Sequence, residues 1–168
     1  MPFTPFHFGP GLAIKSLAMR KFSFLSFMSA NVLIDVEPLY YMVRGEFPLH
    51  RFFHTYIGAS VVGTVVILLL LVVKQVVLSM PVFSGNRVHV YFLSLSSFTI
   101  SVGAFTGVYS HIFLDSVMHS DIMPLLPFSS SNGLLGLVSL SELHWFCILA
   151  GLFGILVLLG HRFFVRSF

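Results

Sequence analysis

The side chains of this sequence that can do acid–base or metal chemistry fall in short pairs and triplets: Asp35 and Glu37, His50 and His54, and His111, Asp115 and His119. Residues four apart on a helix share a face, with Cβ atoms about 6 Å apart. That spacing lets His50 with His54, His111 with Asp115, and Asp115 with His119 each chelate one ion. Imidazole and carboxylate together suit Zn²⁺, with Mn²⁺ or Fe²⁺ as alternatives, at metal–ligand distances of about 2.0–2.2 Å; Ca²⁺ prefers shells made of oxygen alone. Seven candidates exceed the needs of one tetrahedral ion, so one ion or two fit the inventory, the second arrangement needing a bridging carboxylate.

These groups have to be positioned by strongly apolar elements. Residues 56–80 make the clearest span, with no charge over 56–73 and a density of Val, Ile and Leu that suits a bilayer crossing. Residues 90–114, with Ser94, Ser96, Ser97, Thr99, Ser101, Gly103 and Gly107, have the composition of a helix packed closely against others and are expected to be central. A third span is expected over 143–160, ending in His161 and Arg162. The apolar stretches 11–19 and 22–34 are each too short to cross alone at about 1.5 Å per residue. Two arrangements fit them: a crossing helix over 22–43 broken near Pro38, or a helical hairpin that enters part of the membrane. Residues 121–141 read as a Pro/Ser/Gly-rich loop, and Gly9 to Gly11 as a helix-start turn with no Lys or Ser/Thr at phosphate-loop spacing.

Composition supports the same setting. Of 168 residues, 57% are hydrophobic and only 9% charged, well below the roughly 25% usual for soluble domains. The mean hydropathy of +0.96 leaves lipid as the natural surrounding. The net charge of +3 is carried by Lys and Arg scattered at segment ends, a pattern of membrane topology and not of nucleic-acid binding. Lys15, Arg20, Lys21, Lys74, Arg87, Arg162 and Arg166 fall on one side and only Arg44 and Arg51 on the other, so the first side is expected to be cytoplasmic, both termini included. Residues 115–142 contain no Lys or Arg and should face outward, bringing all seven candidates to the outer end of the bundle. The N-terminus lacks the order of a cleavable signal, so the chain is expected to be one mature integral membrane domain over 1–168, a bundle of about four transmembrane helices with that N-terminal hairpin as an option.

A carboxylate held at membrane depth costs about 2.5–3.5 kcal/mol on insertion scales, which a bound dication would offset. Arg51 or Arg44 could offset the rest or meet an anionic substrate. Weighed singly, a membrane-edge His or Asp is an interfacial or capping group; it is the coincidence of three segments that points to metal. His89, His144 and His161 sit at span ends and are not counted. The Phe22, Phe24, Phe27 group and the terminal Phe163, Phe164, Phe168 group read as lipid contact, and Cys147 as packing.

The sequence resembles the YdjM-like membrane-bound metal-dependent hydrolases of bacteria over most of its length. The likeness rests on His7 in Thr4-Pro5-Phe6-His7-Phe8-Gly9, on Leu33-Ile34-Asp35-Val36-Glu37-Pro38, on His50-Arg51-Phe52-Phe53-His54-Thr55, and on GVYSHIFLD over 107–115 followed by Met-Pro-Leu-Leu-Pro over 123–127. Glu37 stands where the family has a second Asp, and the interval from His50 to His54 is one residue shorter than the family's. By that resemblance His7, Asp35, His50, His54, His111 and Asp115 form the metal-binding or catalytic set; His7 enters on this ground alone, and His119 on spacing alone.

The expected function is therefore an inner-membrane, metal-dependent hydrolase acting on an ester or phosphoester, with a lipid-linked or phosphate-containing substrate reaching the outer face from the surrounding lipid. In it His50, His54, His111 and Asp115 would hold metal, Asp35 would bridge or act as base, Glu37 would orient a histidine, and Arg51 would take substrate charge. A metal-ion or proton conduit and a non-catalytic scaffold remain open alternatives.

Overall fold

The computed structural model describes residues 4–166, and among them the regular secondary structure is all helical, without strands. The helices are α1 (Thr4–Ala18), α2 (Phe24–Ile34), α3 (Val36–Arg44), α4 (Tyr56–Ser79), α5 (Arg87–Ser94), α6 (Ser97–Met118) and α7 (Leu140–Arg166), with 3₁₀ turns at Met19–Lys21, Phe52–His54 and Pro81–Phe83. Three of them are long and apolar enough to cross a membrane: Tyr56–Ser79, Ser97–Met118 and Leu140–Phe164. The fourth crossing expected from the sequence is not among them. In its place α1 and α2, of 15 and 11 residues, fold back on each other around the Met19–Lys21 turn, which agrees with the hairpin arrangement.

Local chemistry sets the boundaries. Thr55 caps α4 by accepting from the Gly58 amide at 2.9 Å, and Ser96 with Thr99 forms a capping box on α6. That box explains why residues 90–114 are not one helix: the chain is extended at Leu95 and Ser96, and α5 ends before α6 begins. Ser139 and Glu142 form a second reciprocal box, Ser139 N to Glu142 Oε2 at 2.8 Å and Glu142 N to Ser139 Oγ at 3.2 Å, so α7 starts at Leu140 and not at 143. The break between α2 and α3 falls at Asp35, upstream of Pro38. A proline ring clashes with the carbonyl four residues earlier, here Ile34, and that is where α2 stops.

Two expectations about glycine and phenylalanine are corrected. Gly9 to Gly11 lie inside α1, not in a start turn, and serve close packing: a Cβ on Gly9 would come 1.9 Å from the Cys147 carbonyl oxygen, and one on Gly11 would come 2.3 Å from the Phe27 ring. Phe22 and Phe27 are fully buried where lipid contact was expected, because Phe27 fills the space between α1 and α2. Phe163 and Phe164 are exposed as read.

The central helix is α6. It packs along α2 through glycines: a Cβ on Gly103 would meet the Ser23 carbonyl oxygen at 2.2 Å, and one on Gly107 the Phe27 carbonyl oxygen at 2.8 Å. Gly9 against Cys147 and Leu12 against Gly154 set α1 parallel to α7. The start of α1, the end of α2, the start of α4 and the end of α6 consequently meet at one end of the molecule. At the other end Lys15 caps the carbonyls of Met19 and Phe22, and Lys74 the carbonyl of Leu95.

Candidate metal centre

At the end where these helices meet, α6 contributes His111 and Asp115, one turn apart and both buried in the bundle. The kink after α2 contributes Asp35, the Phe52–His54 turn contributes His54, and α1 contributes His7. His111 Nε2 lies 3.0 Å from Asp115 Oδ2 and 3.2 Å from Asp35 Oδ1, and His54 Nε2 lies 3.9 Å from Asp115 Oδ2. Asp35, His54, His111 and Asp115 each present a ligand atom within 4.8 Å of all the others. A second group of the same kind is formed by His50, Asp115 and His119, so Asp115 belongs to both. Donors held at about 2.0–2.2 Å from a common ion stand on the order of 3–4 Å from one another, which is the spacing found in the first group.

The histidines are aimed from behind. His54 Nδ1 lies 3.0 Å from Glu37 Oε2, His50 Nδ1 2.9 Å from Asp121 Oδ1, and His111 Nδ1 3.1 Å from Asn31 Oδ1. Asn31 donates its amide to the Phe27 carbonyl at 2.8 Å, which turns its oxygen toward His111 and makes that imidazole the donor. A ring that is neutral and carries its proton on Nδ1 presents the Nε2 lone pair on the other side, the arrangement in which metal-binding histidines are held. Nε2 of His54, His111 and His119 is buried and makes no hydrogen bond. Lone pairs converging on carboxylates in a buried site repel unless a metal ion or a proton lies among them. The donor set fits a divalent ion that accepts nitrogen and oxygen together.

Glu37 and Asp121 have parallel second tasks. Glu37 accepts from the amides of Arg51 at 3.1 Å and Phe53 at 3.0 Å, and Asp121 from those of Leu49 at 2.9 Å and His50 at 3.2 Å. Each carboxylate thereby fixes both the backbone of the 49–54 segment and one imidazole of it. Burial alone would raise the Glu37 carboxyl, but the bonds from His54, Phe53 and Arg51 outweigh it and hold the group below the usual carboxylate range. Asp121 is held low in the same way, burial being outweighed by bonds from His50 and Leu49. Burial pushes the His50 and His119 imidazoles below their ordinary values, favouring the neutral form that binds metal.

The sequence-derived candidates therefore separate. Asp35, His54, His111 and Asp115 come together in one group and His50 and His119 with Asp115 in the other. His50 and His54 do not share a helix face, because Arg51 is in no helix and only Phe52–His54 is a 3₁₀ turn; their rings meet edge to face at 4.6 Å and the two serve different groups. His119 lies just beyond the end of α6, its amide bonded to the Asp115 carbonyl, and stacks its ring toward His50 at 4.5 Å. The carboxylate common to both groups is Asp115; Asp35, expected to bridge or to act as base, belongs to the first group. His7 reaches the cluster through Asp115, Nε2 to Oδ1 at 3.1 Å, with its ring stacked on His111 at 4.4 Å, and belongs to neither group. Glu37 stands behind His54, and the Arg51 side chain belongs to neither group, its Nε donating to the Pro48 carbonyl at 3.0 Å and its Nη2 3.4 Å from Glu46 Oε2, over the Tyr41 ring. Arg44 is likewise paired with Glu46, at 2.7 Å.

No family model, no curated protein and no solved structure matches this chain. The case for the centre accordingly rests on its geometry.

Asn31 and Asp121 were not among the candidates read from the sequence. Asn31 is the polar interruption of the 22–34 apolar run, four residues before Asp35 and so on its face, a signal that spacing could have supplied. Asp121 lies in the loop two residues after His119, where no periodicity marks it.

Proposed function

We propose that this chain is a membrane-embedded, metal-dependent hydrolase acting on an ester or phosphoester at the outer face of the cell's inner membrane. The observation that carries the reading is the shared Asp115: it joins a group of four protein donors to a group of three. Four donors close a tetrahedral site, which is the habit of structural metals, whereas three leave a position for water, which is the habit of catalytic ones. A dication at the three-donor group would lower the pKa of its water toward about 7 and supply a nucleophile at neutral pH.

The residues divide the remaining work. Asp35, His54, His111 and Asp115 would hold one ion and fix α2, α4 and α6 around it, and His50, Asp115 and His119 would hold a second, with Zn²⁺ the favoured ion and Mn²⁺ or Fe²⁺ the alternatives. Asp121 orients His50 and Glu37 orients His54. His119, the half-buried member, stands where substrate can approach. The motif resemblance to YdjM-like hydrolases supports the reading, and so does the bias of Lys and Arg, which favours cytoplasmic termini and an outward site.

The test is turnover by detergent-purified protein, stripped of metal and reloaded separately with Zn²⁺, Mn²⁺ and Fe²⁺, against carboxylic esters and phosphoesters. Activity restored by one of these ions and lost in His50→Ala and His119→Ala supports the proposal. Tight metal with no turnover on either class would favour a conduit, and no metal at all a packing scaffold.

A further inference from the structure

The three-donor group borders a groove. His50 and Asp121 belong to the wall of an open, largely apolar cleft of about 590 Å³, within the roughly 300–1,000 Å³ of small-molecule sites. Its other walls include Phe52, Ile57, Met123 and Leu126, which are 37–54% exposed although large and apolar. Ile57 is the second residue of α4, so the groove lies at the level where that spanning helix begins. Among the groove's polar members Arg51 carries a positive charge, and its side chain is about one-third exposed, held by Nε donating to the Pro48 carbonyl at 3.0 Å, by the Tyr41 ring face and by a 3.4 Å contact to Glu46. An exposed ion pair of that length is weak enough for a ligand anion to replace. Hydrocarbon walls, one cation and two residues of the metal-site framework, His50 and Asp121, thus line one cleft at the level where α4 begins.

We propose that this groove is a tail site for a lipid phosphate: one hydrocarbon chain lies along Phe52, Ile57, Met123 and Leu126, and its anionic phosphate head is set between Arg51 and the His50–His119 group. Such a molecule enters sideways from the bilayer, which aqueous anions cannot do. The inference rests on the hydrolase reading for what happens to the bound molecule, but the groove can be tested by binding alone.

The probe is hexadecylphosphonate bearing a diazirine at the far end of its chain, whose carbon–phosphorus bond resists hydrolysis. It is photolysed with the full, metal-loaded chain in phosphatidylcholine vesicles, and labelled peptides are mapped by mass spectrometry. Labelling should concentrate on the segments around 52–57 and 123–127, and unlabelled hexadecylphosphonate in about tenfold excess should lower it about tenfold, while hexadecanol or inorganic phosphate should not. Ile57→Trp and, independently, Leu126→Trp should each reduce labelling with metal content unchanged, and Arg51→Gln should abolish the preference over hexadecanol. Val65→Trp, facing a different cleft between α3 and α4, should leave labelling as in the wild type. Diffuse labelling along α4 and α7 that the tryptophans do not alter, equal competition by hexadecanol, or cross-links confined to contacts between two copies would overturn the proposal. If the hydrolase reading alone fails, metal or turnover is absent while groove labelling persists; if the tail site alone fails, labelling is diffuse in protein that holds metal and turns over.

Discussion

Three imidazoles of the centre have Nδ1 tied to an acceptor, and the acceptors differ: a carboxylate behind His54 and His50, an amide behind His111. This makes the supporting residues testable apart from the donors. Asn31→Leu removes the acceptor from His111 Nδ1 without touching a donor, and metal affinity should fall about 10–100-fold in a chelator-competition titration, whereas Asn31→Asp should retain most of it. Glu37→Gln keeps an oxygen for one partner and should weaken binding less than Glu37→Leu, which also releases the Arg51 and Phe53 amides. Unchanged affinity in both Asn31→Leu and Glu37→Leu would mean the histidines are not oriented for metal. Glu37 was legible in the sequence as an orienting group because it sits two residues from Asp35; Asp121 was not, because only the folded loop brings it beneath His50.

Among the elements, the close approach of α2 and α6 decides whether Asp35 can reach His111. Gly103 has no room for a Cβ, so Gly103→Ala should push the helices apart, lower stability by about 1–3 kcal/mol in detergent unfolding, and weaken metal binding together with it. Gly160→Ala, in the α7 helix with open space around it, should be neutral or mildly stabilising. Equal effects at the two positions would contradict the packing account. The spans 56–80 and 143–160 were readable from their apolar runs, since lipid leaves a compositional trace on its neighbours. The breaks were harder. Ser96 and Thr99 look like the small polar residues of a packed helix interior, and it is their reciprocal bonds that stop α5 and start α6. The same holds for Phe27, whose aromatic character suggests lipid until Gly11 is seen against its ring.

For the molecule as a whole, the acids and histidines of the site gather at the end where α1, α2, α4 and α6 meet, and the site adds ligand contacts to segments already packed there. A bound ion should therefore act as a fastener. Chelation should lower the thermal midpoint of the detergent-solubilised protein, and Zn²⁺, Mn²⁺ or Fe²⁺ should restore it where Ca²⁺ does not, because Ca²⁺ prefers oxygen shells and binding to the native state alone adds stability by mass action. A midpoint indifferent to chelator would contradict this. The most direct test is elemental analysis of the full chain after metal loading and gel filtration, with Asp115→Ala, Asp35→Ala and His119→Ala alongside. Because Asp115 serves both donor groups, the account predicts that wild type retains a transition metal, that Asp35→Ala and His119→Ala each lose part of it, and that Asp115→Ala loses it all. Metal-free wild type, or Asp115→Ala as fully loaded as wild type, would contradict it.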